Sequence, residues 1–314
     1  MDTRKTRSRQ WRWPRSWSEP EVRTKDLGSW NHPWRPPYFL RAFTWAYLAW
    51  SFIPIAVAIL FSFNNGQSRS SWQGFSTDWY VAKPIYGLSQ SVLYSADIHR
   101  ALAQTLRLAT LTTLVAVPLG VAFALGIDHW HSRGSGEATF VMLFAFCAPE
   151  LVTAVALLFV FALLMKMVPV GTWQQTLSLI TYTLPFPVII TRARLLTIDR
   201  EYEETAVDLG ATAGQALRRV ILPMLRPAIV ASAVLVFARC IDDFVIVSQL
   251  RGPASSDTLS VKIYSGYRSS PSPAYNAMTT VMLVVTLLVG FLGYATMQRL
   301  AKREGRRGFI TLDR

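Results

Sequence analysis

Residues 199–229 read DREYEETAVDLGATAGQALRRVILPMLRPAI, and this stretch decides how the rest of the chain is understood. It carries its own helix punctuation. Asp199 is expected to cap a first short helix, and Glu201, Glu203 and Glu204 suit the positive end of that helix's dipole. Gly210 supplies the left-handed conformation that ends it. Thr212 and Gln215 are spaced as a capping box for a second helix running through Arg218 and Arg219. Pro223 and Pro227 are expected to stop the second helix, with Pro227 in the first turn of the next one. The stretch is too polar to cross a membrane and too short to be a domain. It reads as a helix–turn–helix knob, either a plain connector or a docking element for a cytoplasmic partner.

On both sides of the knob the composition is that of a bilayer-spanning chain. Of 314 residues, 51% are hydrophobic and only 16% charged, where soluble domains carry about 25%. The charges are missing in blocks. Apolar runs over about 40–63, 101–127, 139–164, 173–195, 224–248 and 275–298 give six expected helices, each long enough for the ~20 residues a bilayer core requires. The run Ala42 to Phe63 is too long and too late for a cleaved signal peptide. The expected fold class is therefore all-α and polytopic, with a transmembrane core over 40–298 between tails at 1–39 and 299–314.

Lys and Arg are distributed unevenly. With the N-terminus inside, the inner segments hold 23 of them and the outer segments 7, while Arg107 and Arg239 fall within spans. This asymmetry places both termini in the cytoplasm. It also accounts for the net charge of +13 without a nucleic-acid partner. In residues 1–39, Trp11, Trp13, Trp17, Trp30 and Trp34 alternate with basic residues and prolines. That tail suits either an anionic membrane surface or a poorly ordered segment. Cys147 and Cys240 lie in apolar runs with no CxxC spacing, so a disulfide framework or zinc site is not expected and both are expected to be buried.

The knob now carries a resemblance. Glu204-Thr205-Ala206, then Asp208-Leu209-Gly210-Ala211, then Val220-Ile221-Leu222-Pro223 resemble the EAA loop of ABC-importer permeases of the type I fold. Thr205 stands where the family usually has Ala. In that family the loop forms coupling helices that sit in a cleft of the ATPase subunit. The resemblance covers about residues 40–300, and within the superfamily the chain is most similar to the second permease subunit of spermidine/putrescine transporters. Trp72-Gln73-Gly74-Phe75-Ser76 with Trp79-Tyr80, Ala148-Pro149-Glu150, Ile241-Asp242-Asp243, Gly252-Pro253, and Ser272-Pro273 with Asn276-Ala277 support it. The resemblance implies ABC ATPase subunits, a second permease subunit in a heterodimer, and an extracytoplasmic binding protein as partners. It implies polyamine as cargo; another organic cation, an amino-acid derivative or a metal chelate are the alternatives within the family. ATP is then bound by the partner subunit, and no cofactor is expected on this chain.

Ionisable residues at membrane depth are costly and normally face a partner or a water-filled path. Arg107, Glu150, Arg239, Asp242 and Asp243 are of this kind. From the rise of ~1.5 Å per residue, Glu150 lies about 16 Å and Asp242 about 25 Å from the cytoplasmic end of its helix. Pro149 immediately before Glu150 predicts a kink or break. In one reading Glu150, Asp242 and Asp243 line a cation path, with Tyr182, Phe186 and Tyr202 offering aromatic faces. In the other they form structural ion pairs. Arg239 is three residues before Asp242 and four before Asp243, and Arg107 pairs across helices. Pro185 and Pro187 are expected to break the fourth span, as a packing kink more than a cargo contact.

No phosphate-binding G-x-x-x-x-G-K-[ST] loop is present, and Gly210-Ala211-Thr212-Ala213-Gly214 lacks its lysine. HExxH and GxSxG are absent as well. His129 and His131 flank Trp130 in a short loop and read as solvated side chains. No catalytic residue and no metal site are expected. A channel or an integral membrane enzyme is the rival class, and either would make the knob incidental.

Overall fold

A computed structural model of the chain describes residues 38–310, apart from 67, 69–70, 82–90, 130–133 and 270–271. The Trp-rich part of the N-terminal tail, His131 and residues 311–314 lie outside the described residues. The chain divides into two compact units, Met1–Pro54 and Ile55–Arg314. The described part of the first is the start of α1 (Tyr38–Phe61), which is mostly apolar and exposed through residue 57.

The second unit is helical among the described residues, with one isolated antiparallel bridge between Asn64 and Phe75. A short α2 (Asp78–Val81) precedes the long α3 (Ala96–His129), followed by α4 (Gly134–Cys147) and α5 (Glu150–Phe159). Then come α6 (Thr172–Thr183), α7 (Pro185–Leu195), α8 (Glu201–Asp208), α9 (Ala213–Ala216) and α10 (Leu222–Asp242). The chain finishes with α11 (Val245–Gln249), α12 (Leu259–Ser269) and α13 (Pro273–Ile310).

Among the described residues, four helices are long and apolar enough to cross a membrane: Tyr38–Phe61, Ala96–Asp128, Ala213–Asp242 and Pro273–Arg299. Residues 136–147 and 150–164 form a bent pair, 104° at its break, that is either a fifth, broken span or a re-entrant loop. The remaining expected span, the fourth at 173–195, consists of the 12-residue α6 and the 11-residue α7, which meet at Leu184. Leu184 keeps helical angles (φ −52°, ψ −39°), so the interruption is in the hydrogen-bond ladder, where Pro185 and Pro187 lack N–H groups. Both prolines are buried, which fits the expected packing role. The count of six is therefore approximate.

The centre of this unit is built on α10, which packs against α3, α7 and α13, while α3 also contacts α6 and α7. Leu108, Ala116, Leu179, Val236 and Ile246 are fully buried in the main cluster. Polar side chains are buried with them and tie helices together. Gln104 Nε2 donates to Thr172 Oγ1 at 2.9 Å and Gln175 Oε1 at 3.4 Å, and Gln175 Nε2 donates to the Val247 carbonyl at 3.4 Å. Between helices in lipid, where apolar burial supplies little drive, such bonds and close packing fix the arrangement. Leu119 and Phe123 of α3, and Leu288 and Phe291 of α13, are exposed, as suits a hydrocarbon surround.

Three expectations are corrected here. Asp199 does not cap α8 through its side chain. Arg200 is already helical (φ −61°, ψ −23°), so the helix starts with no side-chain cap, and Asp199 offers only its carbonyl, to Tyr202 N at 3.3 Å. Pro223 and Pro227 do not stop the second knob helix. The chain stays helical from α9 through a π turn at Leu217–Ile221 into α10. The wider π turn sets the ladder out of register just where Pro223 would clash and lacks a donor. Burial of Ile221, Leu225 and Ala228 holds the continuous helix in the core. Finally, Cys147 is exposed at the end of α4, and only Cys240 is buried.

Candidate functional site

Two groups of residues merit a functional reading, one at each end of the continuous helix Ala213–Asp242.

The first is the knob. The end of α8 is a Schellman motif: Gly210 N–H donates to the Val207 carbonyl at 2.8 Å, and Ala211 N–H to the Ala206 carbonyl at 3.0 Å. It requires the left-handed φ of +86° at Gly210, which an L side chain adopts only at a cost. The next helix opens on the expected capping box. Thr212 N–H donates to Gln215 Oε1 at 3.0 Å, and Gln215 N–H to Thr212 Oγ1 at 3.4 Å. Each end of the turn is thus closed by its own residues. Glu204, Thr205, Asp208 and Gly210 are exposed; Ala206, Ala211 and Pro223 are half-buried. Leu209 is 84% exposed at the tip, with Val207 also exposed beside it, so the turn offers apolar side chains outward. The base is anchored by Arg194, whose Nε donates to the Met224 carbonyl at 3.4 Å.

The second group forms at the broken span. Pro149 (φ −60°, ψ 132°) ends the helical path and Glu150 begins α5. Glu150 therefore sits in the first turn, where free backbone N–H groups favour a carboxylate. α6 contributes Tyr182, α7 Phe186 and α10 Arg239. Arg239 Nη2 donates to the Tyr182 hydroxyl at 2.8 Å and to Glu150 Oε2 at 3.4 Å, and the Tyr182 hydroxyl donates to the same oxygen at 3.3 Å. The guanidinium carbon lies 5.6 Å from the Tyr182 ring centroid and 5.9 Å from that of Phe186.

Asp243 is buried beside this group and interacts with both Glu150 and Arg239. Its Oδ1 accepts from Ile246 N–H at 3.1 Å and Val247 N–H at 3.2 Å, so it caps α11. Asp242, next to it, is exposed and lies towards Thr286 of α13. Tyr202 belongs to the knob. Arg107 is exposed and pairs with no carboxylate among the described residues.

The local pairing of Arg239 with Asp242 and Asp243 is thus replaced by a pair with Glu150. α10 ends at Asp242 and Asp243 is extended (φ −62°, ψ 122°), so the helical i+4 neighbourhood is lost there. The structure brings together Glu150, Tyr182, Phe186 and Arg239, sets Asp243 beside them and leaves Asp242 apart. The Gln104–Gln175 link was missed. Its only sequence signal is a glutamine inside each of two apolar runs.

Comparison with known proteins gives the chain's family. The family model for the binding-protein-dependent transport system inner membrane component matches residues 116–306. The spermidine/putrescine transport system permease protein PotC of Escherichia coli (strain K12) is 34% identical over 248 residues, covering 79% of this chain and 89% of that one. The putrescine transport system permease protein PotI of the same strain is 29% identical over 279 residues, covering 87% and 94%. Among solved structures, a bacterial alginate ABC transporter in complex with alginate pentasaccharide-bound periplasmic protein contains a similar chain. It aligns with a TM-score of 0.65 and 20% identity over 84% of this chain and 96% of that one, a likeness of fold alone.

Proposed function

This chain belongs to the family of binding-protein-dependent transport system inner membrane components, and from that premise we propose that its cargo is a polyamine and that a separate ATPase drives it through residues 199–223. The chain is a multi-pass inner membrane permease subunit. The cargo is carried by one observation, the 34% identity to a spermidine/putrescine permease over 79% of this chain. Both termini face the cytoplasm, as the uneven distribution of Lys and Arg supports.

The coupling reading rests on the knob's geometry. It is exposed, closed at its turn by Gly210 and the Thr212–Gln215 box, and continuous through α10 with Arg239, which meets Glu150 of the broken span. Thr212 and Arg239 lie at opposite ends of one helix, about 40 Å apart at ~1.5 Å per residue. A cytoplasmic partner that tilts the knob therefore moves Arg239 and Asp243. The partners are a pair of ABC ATPase subunits, a second permease subunit and a binding protein that delivers cargo outside. ATP binding draws the two coupling knobs together and opens the path outward; hydrolysis reverses this. ATP is held by the ATPase pair, and this chain contributes the lever and part of the path.

Uptake tests this reading. Cells lacking their own polyamine import and supplied with this chain and its partners take up labelled putrescine or spermidine when ATP is present. Uptake of neither amine, with assembly intact, sinks the cargo assignment.

A further inference from the structure

Arg239 occupies a setting that fits a smaller cation better. A carboxylate oxygen, a phenol hydroxyl and two aromatic rings surround one positive charge, and such rings attract ammonium as well as guanidinium. The guanidinium uses the setting poorly. It brings five N–H donors in a rigid fork, yet Nη2 alone makes both bonds to Tyr182 and Glu150. Its Nε is buried with no partner among the described residues. A primary ammonium carries its donors on one atom and would place them where Nη2 now sits. The setting is also open: the Arg239 side chain is 40% exposed and that of Glu150 28%. A cation can enter, and the arginine can swing out on its flexible stem.

We infer that Glu150, Tyr182 and Phe186 form a binding site for one primary ammonium group, and that Arg239 is its resident occupant, displaced when cargo enters. Between transport events the arginine neutralises Glu150 at membrane depth. It also denies the carboxylate to small inorganic cations, so the empty path does not leak. Cargo must then out-compete a tethered guanidinium. A primary ammonium can do this through the Tyr182 hydroxyl and the two aromatic faces, which replace part of its hydration, whereas a strongly hydrated inorganic ion gains less from them. The inference rests on the polyamine reading for the identity of the cargo, not for the existence of the site.

The test uses the full transporter (this chain, its second permease subunit and its ATPase pair) in lipid nanodiscs without binding protein. Equilibrium binding of labelled putrescine, and separately of labelled butylamine, is measured for the unaltered complex, Arg239→Gln, Arg239→Lys and the double variant Arg239→Gln/Glu150→Gln. Arg239→Met, which keeps the volume of the stem, replaces Arg239→Gln if that variant does not assemble. Removing the resident charge raises amine affinity at least tenfold, Arg239→Lys stays within about threefold of the unaltered complex, and the double variant loses the gain. Affinity that does not rise in Arg239→Gln, or a gain that survives loss of Glu150, overturns the inference. If butylamine gains but the transporter takes up no polyamine, the site stands and the cargo reading fails. If polyamine is taken up and neither amine gains, the reverse holds.

Discussion

The Glu150 carboxylate and the Arg239 guanidinium meet at 3.4 Å although 89 residues separate them. Each arrives there for a local reason. Pro149 ends the preceding helical path and makes Glu150 the first residue of α5, while α10 carries Arg239 up from the knob. Glu150→Gln keeps the shape and removes the charge. Uptake by the assembled transporter is expected to fall at least tenfold, with Glu150→Asp retaining part of it. An initial-rate uptake assay on complexes matched for subunit content checks this, and an unchanged rate would remove Glu150 from the path.

Gly210→Ala tests the knob's turn. Nothing lies within 4 Å of an added Cβ there, so the cost is purely that of φ +86°, about 1–2 kcal/mol for an L residue. Gly214 is equally open but has no such φ, so Gly214→Ala is the control. Uptake is expected to drop several-fold for Gly210→Ala and to hold for Gly214→Ala, with the ATPase co-purifying in both. Equal behaviour of the two would mean that the turn's conformation does not matter for coupling.

Thr212→Ala opens the capping box and should remove about 1 kcal/mol of local stability, most of which Thr212→Ser retains. Hydrogen exchange of the backbone amides around residues 212–216 is the readout. Protection there should fall for Ala and remain for Ser, while the core around Leu108 and Val236 is unaffected.

The parts of this chain that could be read from its sequence are those set by neighbours along the chain. Gly210 before Ala211, Thr212 three residues before Gln215, and Pro149 before Glu150 each dictate a local backbone event, and each occurs. The misses have a different origin. Pro223 follows directly on the π turn at Leu217–Ile221, where the ladder is no longer that of a regular α-helix. Pro227 sits inside α10 itself, and the buried side chains of Leu225 and Ala228 hold the helix together there. Asp242 and Asp243 look like natural partners of Arg239 along one helix, but the helix ends between them. Asp243 is taken by the α11 N–H groups. The true partner depends on how α5, α6 and α10 pack, which no local spacing encodes. The link from Gln104 to Gln175 is likewise tertiary.

The loops after the broken span and after α11 meet at two glycines. A Cβ on Gly252 would stand 2.7 Å from the Gly171 Cα, backbone that cannot yield cheaply, and Gly171 itself has φ +98°. Arg251 beside it is bound to Asp257, at 2.7 Å through Nε, a bond that raises the arginine's already high pKa. Gly252→Ala is expected to cost about 1–3 kcal/mol through overpacking and to lower the melting temperature of the purified transporter. Asp257→Asn, in a pair whose arginine is exposed and whose carboxylate is half-buried, is expected to cost about 1 kcal/mol. Thermal unfolding of both variants in the same detergent ranks them, and the opposite order would show that the loops do not meet as described.

The central claim is that a separate ATPase, gripping residues 199–223, drives polyamine through this chain. Its most direct test is uptake of labelled putrescine and spermidine into proteoliposomes holding the purified complex, with binding protein outside and ATP sealed inside. The account predicts accumulation that needs internal ATP and falls several-fold in Gly210→Ala although the ATPase remains bound. Accumulation without ATP, or none for either amine in a complex whose ATPase is active and attached, would contradict it.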